Sequence, residues 1–141
     1  MHIYRHPQAK RVMDLLAACS LPNADLSEAK LEHFFGCGNE TALDGIVGVE
    51  LFGNVALLRS LAVRERVRGK GCGKRLAREA EQYARRSGVK QLYLFTTAAE
   101  KFFASLGYAT IDRGTAPEAI KSTAEFTTLC SSSATIMAKE L

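Results

Sequence analysis

Arg68, Gly69, Lys70, Gly71, Cys72, Gly73 and Lys74 follow an apolar, strand-like run and precede an amphipathic segment, an order suited to holding a phosphate. Glycines let consecutive backbone N–H groups turn toward one point, and a following helix adds its unpaired N–H groups and the positive end of its dipole. Two common cradles fail on spacing. A Walker loop needs Gly well ahead of a closing Gly-Lys-Ser/Thr, but Arg68 and Arg75 stand at its first Gly and its Ser/Thr. A dinucleotide fingerprint needs a third Gly, where the two registers meet Lys74 and Leu76. What remains is Arg-x-x-Gly-x-Gly. Arg59 is the second residue whose chemistry stands out, because a guanidinium inside an apolar strand is expensive to bury unpaired. Either a bound carboxylate or a carboxylate of the protein itself must meet it. Cys19, Cys37, Cys72 and Cys130 form no Cys-x-x-Cys and have no His at zinc-ligand spacing, so no metal site is expected and reduced thiols are.

The elements that must position these groups can be read coarsely. With 141 residues and 47% hydrophobic content, the chain suits one domain over residues 1–141. It has no long apolar run, and Met1 to Lys10 is polar and basic, which points to a cytoplasmic protein without membrane association. The net charge is +4, and Arg64, Arg66, Arg68, Lys70, Lys74, Arg75 and Arg78 crowd around the glycine loop. Such a patch steers polyanions. The glycines between the charges favour a polyanionic cofactor over nucleic acid, since duplex binding needs side chains on a helix or ribbon.

Val12, Leu15, Leu16 and Cys19 predict a helix after Pro7, and Leu31, Phe34 and Phe35 predict a second after the capping candidates Asp25 and Ser27. His2 to Tyr4 is short enough to leave a first strand undecided. From Gly45 an apolar run leads to Gly53-Asn54, a hairpin signal, and Val55 to Val63 is apolar on both faces, as a central strand should be. Leu76, Ala80, Tyr83 and Ala84 mark a helix ending near Gly88, and Val89 to Thr96 reads as a parallel strand reached by a right-handed crossover. A short helix from Ala98 to Leu106 ends at Gly107. Tyr108 to Ile111 and Ala134 to Ala138 supply the last strands, with Arg113 to Ser133 a long connection between them.

This order, with Arg-x-x-Gly-x-Gly after Leu57 to Val63 and the block Thr96 to Phe103 leading to Gly107-Tyr108, resembles the Gcn5-related N-acetyltransferases over the whole chain. The resemblance implies an α/β fold: a mixed central sheet with a splayed pair of parallel strands, flanked by helices. A narrower likeness, carried by Arg59 to Val63, Thr96-Thr97 and Ala116-Pro117 through Met137, is to an arsenic-resistance-associated acetyltransferase subgroup. That subgroup is itself similar to the acetyltransferase module of glutamate N-acetylating enzymes.

The family likeness implies acetyl-CoA as co-substrate and a small-molecule primary amine as acceptor, an amino acid or a glutamate-like arsenic or phosphinic analogue. The amides from Arg68, Gly69, Lys70, Gly71, Cys72, Gly73 and Lys74 would hold the pyrophosphate, and Leu61 and Val63 would pair main-chain groups with the pantetheine arm. An N–H near Ala62 or Val63 would polarise the thioester carbonyl. Phe102 and Phe103 would border the cofactor. Glu50 is the first candidate proton acceptor and Glu125 the second. Phe103 stands where many members carry a tyrosine acid, which leaves Tyr108 or Tyr93 to substitute. Arg59, Thr97 and Arg113 would bind the acceptor. A homodimer is common in the family. Two other readings are a protein N-terminal or lysine acetyltransferase and a catalytically silent acetyl-CoA sensor.

Overall fold

The computed structural model describes residues 2–39, 42–129 and 133–141. The chain forms β1 (Ile3–Arg5), α1 (Ala9–Ala18), α2 (Glu28–Leu31), β2 (Phe34–Asn39), β3 (Ala42–Phe52), β4 (Val55–Val63), α3 (Cys72–Arg86), β5 (Gln91–Thr96), α4 (Glu100–Ser105), β6 (Ala109–Ile111), α5 (Glu118–Lys121) and β7 (Thr135–Glu140). The sheet has seven strands in the order β1-β2-β3-β4-β5-β7-β6. Every pairing is antiparallel except β4 with β5, so one parallel pair sits inside an otherwise antiparallel sheet. No described helix is long and apolar enough to cross a membrane.

Side chains of β4 alternate between two covered faces, so Ala56 to Arg59 are buried without a break. Ala56 and Leu58 enter a core with Leu76, Ala77 and Ala80 of α3. On the opposite face, Leu57 packs with Ile120 of α5, while Ala62 joins Val12, Leu15 and Leu16 of α1. That alternation breaks once, at a bulge. Ile46 stands opposite Ala62 but Gly48 opposite Arg59, so β4 holds one extra residue, and Ser60 takes a left-handed φ of 60°. A single added residue exchanges the two faces. Leu61 and Val63 therefore turn toward the α3 layer, which they would otherwise face away from.

The second predicted helix needs correction. Only Glu28–Leu31 is helical, with Ser27 Oγ accepting from Lys30 N–H at 3.3 Å as its cap, and Phe34 and Phe35 open β2 instead. Phe34 lies with α1 and Phe35 with α3, on opposite faces of the sheet. The Phe34 ring lies directly over Gly48, where an added Cβ would stand 2.3 Å from it. The first strand forms over Ile3–Arg5, and Arg113 to Ser133 breaks into a 3-10 turn, α5 and a π-helical turn at Glu125–Leu129. Cys130 lies outside the described residues.

Candidate functional site

The register of β4 with β5 runs from Val55 opposite Gln91 to Leu57 opposite Tyr93. Beyond it the bulge at Ser60 helps carry β4 away, and two clefts occupy the gap. One cleft, of about 520 Å³, is lined by Leu61, Val63, Val67, Arg68, Gly69, Gly71, Cys72, Gly73 and Lys74 with Phe102 and Phe103 of α4. Gly69 and Gly71 have φ of 81° and 84°, and an added Cβ at either would meet no atom within 4 Å. Their main chain is open to the cleft. With the first N–H groups of α3 and the Arg68 and Lys74 side chains beside them, these residues suit a polyphosphate. Arg68 is anchored by Nε donating to Val63 O at 2.9 Å.

The sequence placed two further residues here that the cleft does not include. Ala62 is buried on the α1 face because the bulge turns it there, and Lys70 is an exposed residue outside the lining. Cys72, the first residue of α3, lines the cleft and meets Cys37 of β2, Sγ to Sγ at 2.6 Å, both thiols free. Gly45 makes room for them, since its Cβ would stand 3.0 Å from each sulfur. Burial and the hydrogen bond with Cys72 push the Cys37 thiol up to about 12, so it stays protonated.

The second cleft, of about 440 Å³, lies between Leu58–Leu61 of β4 and Leu94–Ala99, with Cys19–Pro22, Glu125 and Ala134 also lining it. It shares Leu61, Ala99 and Phe103 with the first. Arg59 and Glu125 are the charged residues of its wall among those described. Thr97 lines it as an exposed residue, while Thr96 Oγ1 accepts from Ala99 N–H at 3.0 Å, ahead of α4.

Arg59 has the densest set of partners in the site. Its Nη1 donates to Asp25 Oδ2 at 2.6 Å and Glu50 Oε2 at 2.7 Å, Nη2 to Asp25 Oδ1 at 2.9 Å, and Nε to Ser60 Oγ at 3.0 Å. Glu125 Oε2 stands 3.4 Å from Nη2. Burial alone would favour losing the proton, but Asp25, Glu125 and Glu50 outweigh it and hold the guanidinium charged. Burial likewise raises Asp25, yet its hydrogen bonds to Arg59 and Lys30 bring it down to about 2. The acceptor-gripping role expected of Arg59 is corrected: its fork is filled by the protein's own carboxylates, and its side chain is 0% exposed.

Asp25 is the residue the sequence reading missed. Its spacing before Leu31 suggested a helix cap, and nothing in its neighbours signalled a partner on β4. The Glu50 carboxylate lies behind Arg59, outside the cleft lining, whereas Glu125 is on the wall.

Tyr108 is also corrected as a proton donor. Its hydroxyl donates to Glu81 Oε2 at 2.8 Å inside the α3 core, and burial, with the Glu81 charge, raises its pKa far above the ordinary range. Tyr93 is buried against α5, and no described tyrosine lines either cleft. Arg113 stands outside both linings, with Nη1 donating to Ala134 O at 3.0 Å and its guanidinium 5.0 Å from the Phe126 ring centre. It braces the late connection.

Known structures share this architecture. N-acetylglutamate synthase from Neisseria gonorrhoeae, complexed with coenzyme A and L-arginine, superposes with a TM-score of 0.83 at 19% identity, over 99% of this chain but 33% of that one. The present chain thus spans about a third of that enzyme. Rv2747 from Mycobacterium tuberculosis, in complex with CoA, gives 0.80 at 16% identity over 100% and 99% of the two chains. PaiA N-acetyltransferase from Thermoplasma acidophilum, in complex with coenzyme A, gives 0.67 at 18% identity over 100% of both. No curated protein sequence matches significantly. A family model described as acetyltransferase (GNAT) family matches residues 4–108, from β1 through the glycine loop to the turn before β6, and the chain belongs to that family.

Proposed function

We propose that the protein is an acetyl-CoA-dependent N-acetyltransferase acting on the primary amine of a small molecule. The observation that carries this reading is the meeting of two clefts at Leu61, Ala99 and Phe103, one beside a phosphate-binding loop and the other walled by a buried carboxylate. Donor and acceptor would enter from opposite sides of the gap between β4 and β5. The cleft's volume of about 440 Å³, walled by Cys19–Pro22 and, from the late connection, Glu125 and Ala134, suits a small molecule.

Bound acetyl-CoA supplies the activated acyl group. Backbone N–H groups of Gly69 to Lys74 hold its phosphates, and the main chain of Leu61 and Val63 lines its arm. A β4 N–H near Val63 stabilises charge on the reacting oxygen, worth ~3 kcal/mol. Glu125 takes the proton that the acceptor ammonium must lose, with Glu50 behind Arg59 as the alternative through water. Phe103 donates no proton, so the C–S bond breaks with the sulfur leaving as thiolate, tolerable for a thiol of pKa ~8.5, and the second proton of the attacking nitrogen passes to that thiolate or to water.

A glutamate-like acceptor, arsenic and phosphinic analogues included, is the second reading. It is supported by the Ala116-Pro117 to Met137 resemblance and by the likeness to N-acetylglutamate synthase. The filled fork of Arg59 weighs against it.

The test is thiol release from acetyl-CoA with a panel of small amines and a lysine peptide. Turnover on small amines, reduced at least about 10²-fold in kcat by Glu125→Gln, is expected. Coenzyme A binding without turnover on any amine would instead identify a sensor.

A further inference from the structure

We infer that the acceptor taken by the second cleft is a primary amine with no carboxylate beside it, an alkyl- or arylalkylamine entering as ammonium. The inference rests on the acetyl-transfer reading above and adds the acceptor's class. An α-amino acid brings a carboxylate within two bonds of its amine, and that group needs a cation or several N–H donors in the wall. Arg59 is the one cationic side chain lining this cleft among the described residues. Its five N–H groups face Ser60, Asp25, Glu50 and Glu125, and its side chain is 0% exposed. An incoming carboxylate would have to displace one already buried there.

The charge balance points the same way. Among the described contacts, Arg59 and Lys30 are the cations that face the carboxylates of Asp25, Glu50 and Glu125, an excess of one negative charge. That excess meets the cleft at Glu125. Of the nearby cations outside its lining, Arg68 borders the other cleft with Nε on Val63 O and Nη2 3.9 Å from Cys19 Sγ, and Arg113 holds Ala134 O and stacks on Phe126. An ammonium offsets the excess, whereas a second carboxylate doubles it in a wall that is otherwise apolar or neutral, built from Leu21, Leu58, Leu94 and Phe95 with Ser60 and Thr97. Specificity would then come from rejecting the carboxylate as much as from welcoming the amine.

The experiment compares matched pairs: 2-phenylethylamine with phenylalanine, and 3-methylbutylamine with leucine, together with glutamate and its phosphinic analogue. Acetylation by the full chain is followed by thiol release and by mass. The amine of each pair should exceed its amino acid at least tenfold in kcat/KM. Thr97→Arg, which puts a cation on the exposed wall, should cut that preference at least tenfold. Preference for any of the amino acids or the analogue over the amines, with turnover, overturns the acceptor class and leaves acetyl transfer standing. Coenzyme A binding with no acetylation of either class overturns both. Should Thr97→Arg leave the preference unchanged while the variant remains folded and active, wall charge does not select the acceptor and the inference fails.

Discussion

Arg59 shows how one side chain can tie a site together, since its partners come from the segment before α2, from β3 and from the late connection. Replacing it by Met leaves the buried Glu125 and the part-buried Asp25 and Glu50 facing one another without their cation, and one-sided breaks of this kind cost ~3–5 kcal/mol when buried. Urea unfolding of Arg59→Met should show a loss of that size; a change under ~1 kcal/mol would mean the network adds little. Asp25 makes the same network acid-sensitive. Its carboxyl titrates at about 2 in the fold against an ordinary 3.8, so the stability it adds is complete above pH about 4 and is lost as the pH falls toward 2. The urea midpoint should slope downward across that window in the native protein and less so in Asp25→Asn. Tyr108 belongs to the core rather than the chemistry. Tyr108→Phe should cost ~1–2 kcal/mol of stability, since Lys139 still meets Glu81 at 3.0 Å, and should leave kcat and its pH profile unchanged. A tenfold fall in kcat with an altered profile would return Tyr108 to the active site.

At the scale of elements, the bulge and the glycine loop do most of the positioning. Gly71 holds a φ of 84° in open space, so Gly71→Ala meets backbone strain without steric conflict. Strain of ~1–2 kcal/mol there should weaken coenzyme A binding roughly tenfold by calorimetry, while Gly114→Ala, outside the clefts, should leave it unchanged. Equal affinities would place the phosphates elsewhere. The elements around this loop were readable from the chain because each carries a period or a punctuation mark. Val55 to Val63 is unbroken and apolar, α3 has its stripe at Leu76, Ala80 and Ala84, and Gly88 and Gly107 stop their helices with φ of 91° and 100°. Strand β2 was not readable. Phe34-Phe35-Gly36-Cys37-Gly38 has the spacing of a helix face and the composition of a turn, and it forms a strand because Gly36 and Gly48 leave room for the Leu43 and Phe34 side chains. The bulge was hidden for a similar reason, since a serine, not a glycine, takes the left-handed position. In the site, the cost of burying Arg59 announced that a partner must exist. Only three-dimensional proximity could say that it was Asp25, thirty-four positions away.

For the whole molecule, the net charge of +4 matters less than where it is free to act. Arg64 Nε is turned to Leu43 O and Arg66 Nη2 to Asp44 Oδ1, while Arg68 and Lys74 stay at the rim of the loop. Stopped-flow association of coenzyme A should therefore slow several-fold between low and high salt, and Arg68→Ala should blunt that dependence far more than Arg66→Ala. Equal effects would mean that the overall field, not the rim, guides capture. The early parting of β4 from β5 carries a consequence of another kind. A sheet that opens after Leu57 leaves interior strand backbone without a neighbouring strand, the sort of surface that recruits other chains when uncovered. If the arm of the donor lies along β4, it serves as a detachable strand of the fold. Cofactor supply would then govern amide hydrogen exchange along Leu58 to Val63 and the tendency to aggregate, so that the donor would act as a folding partner as well as a reactant.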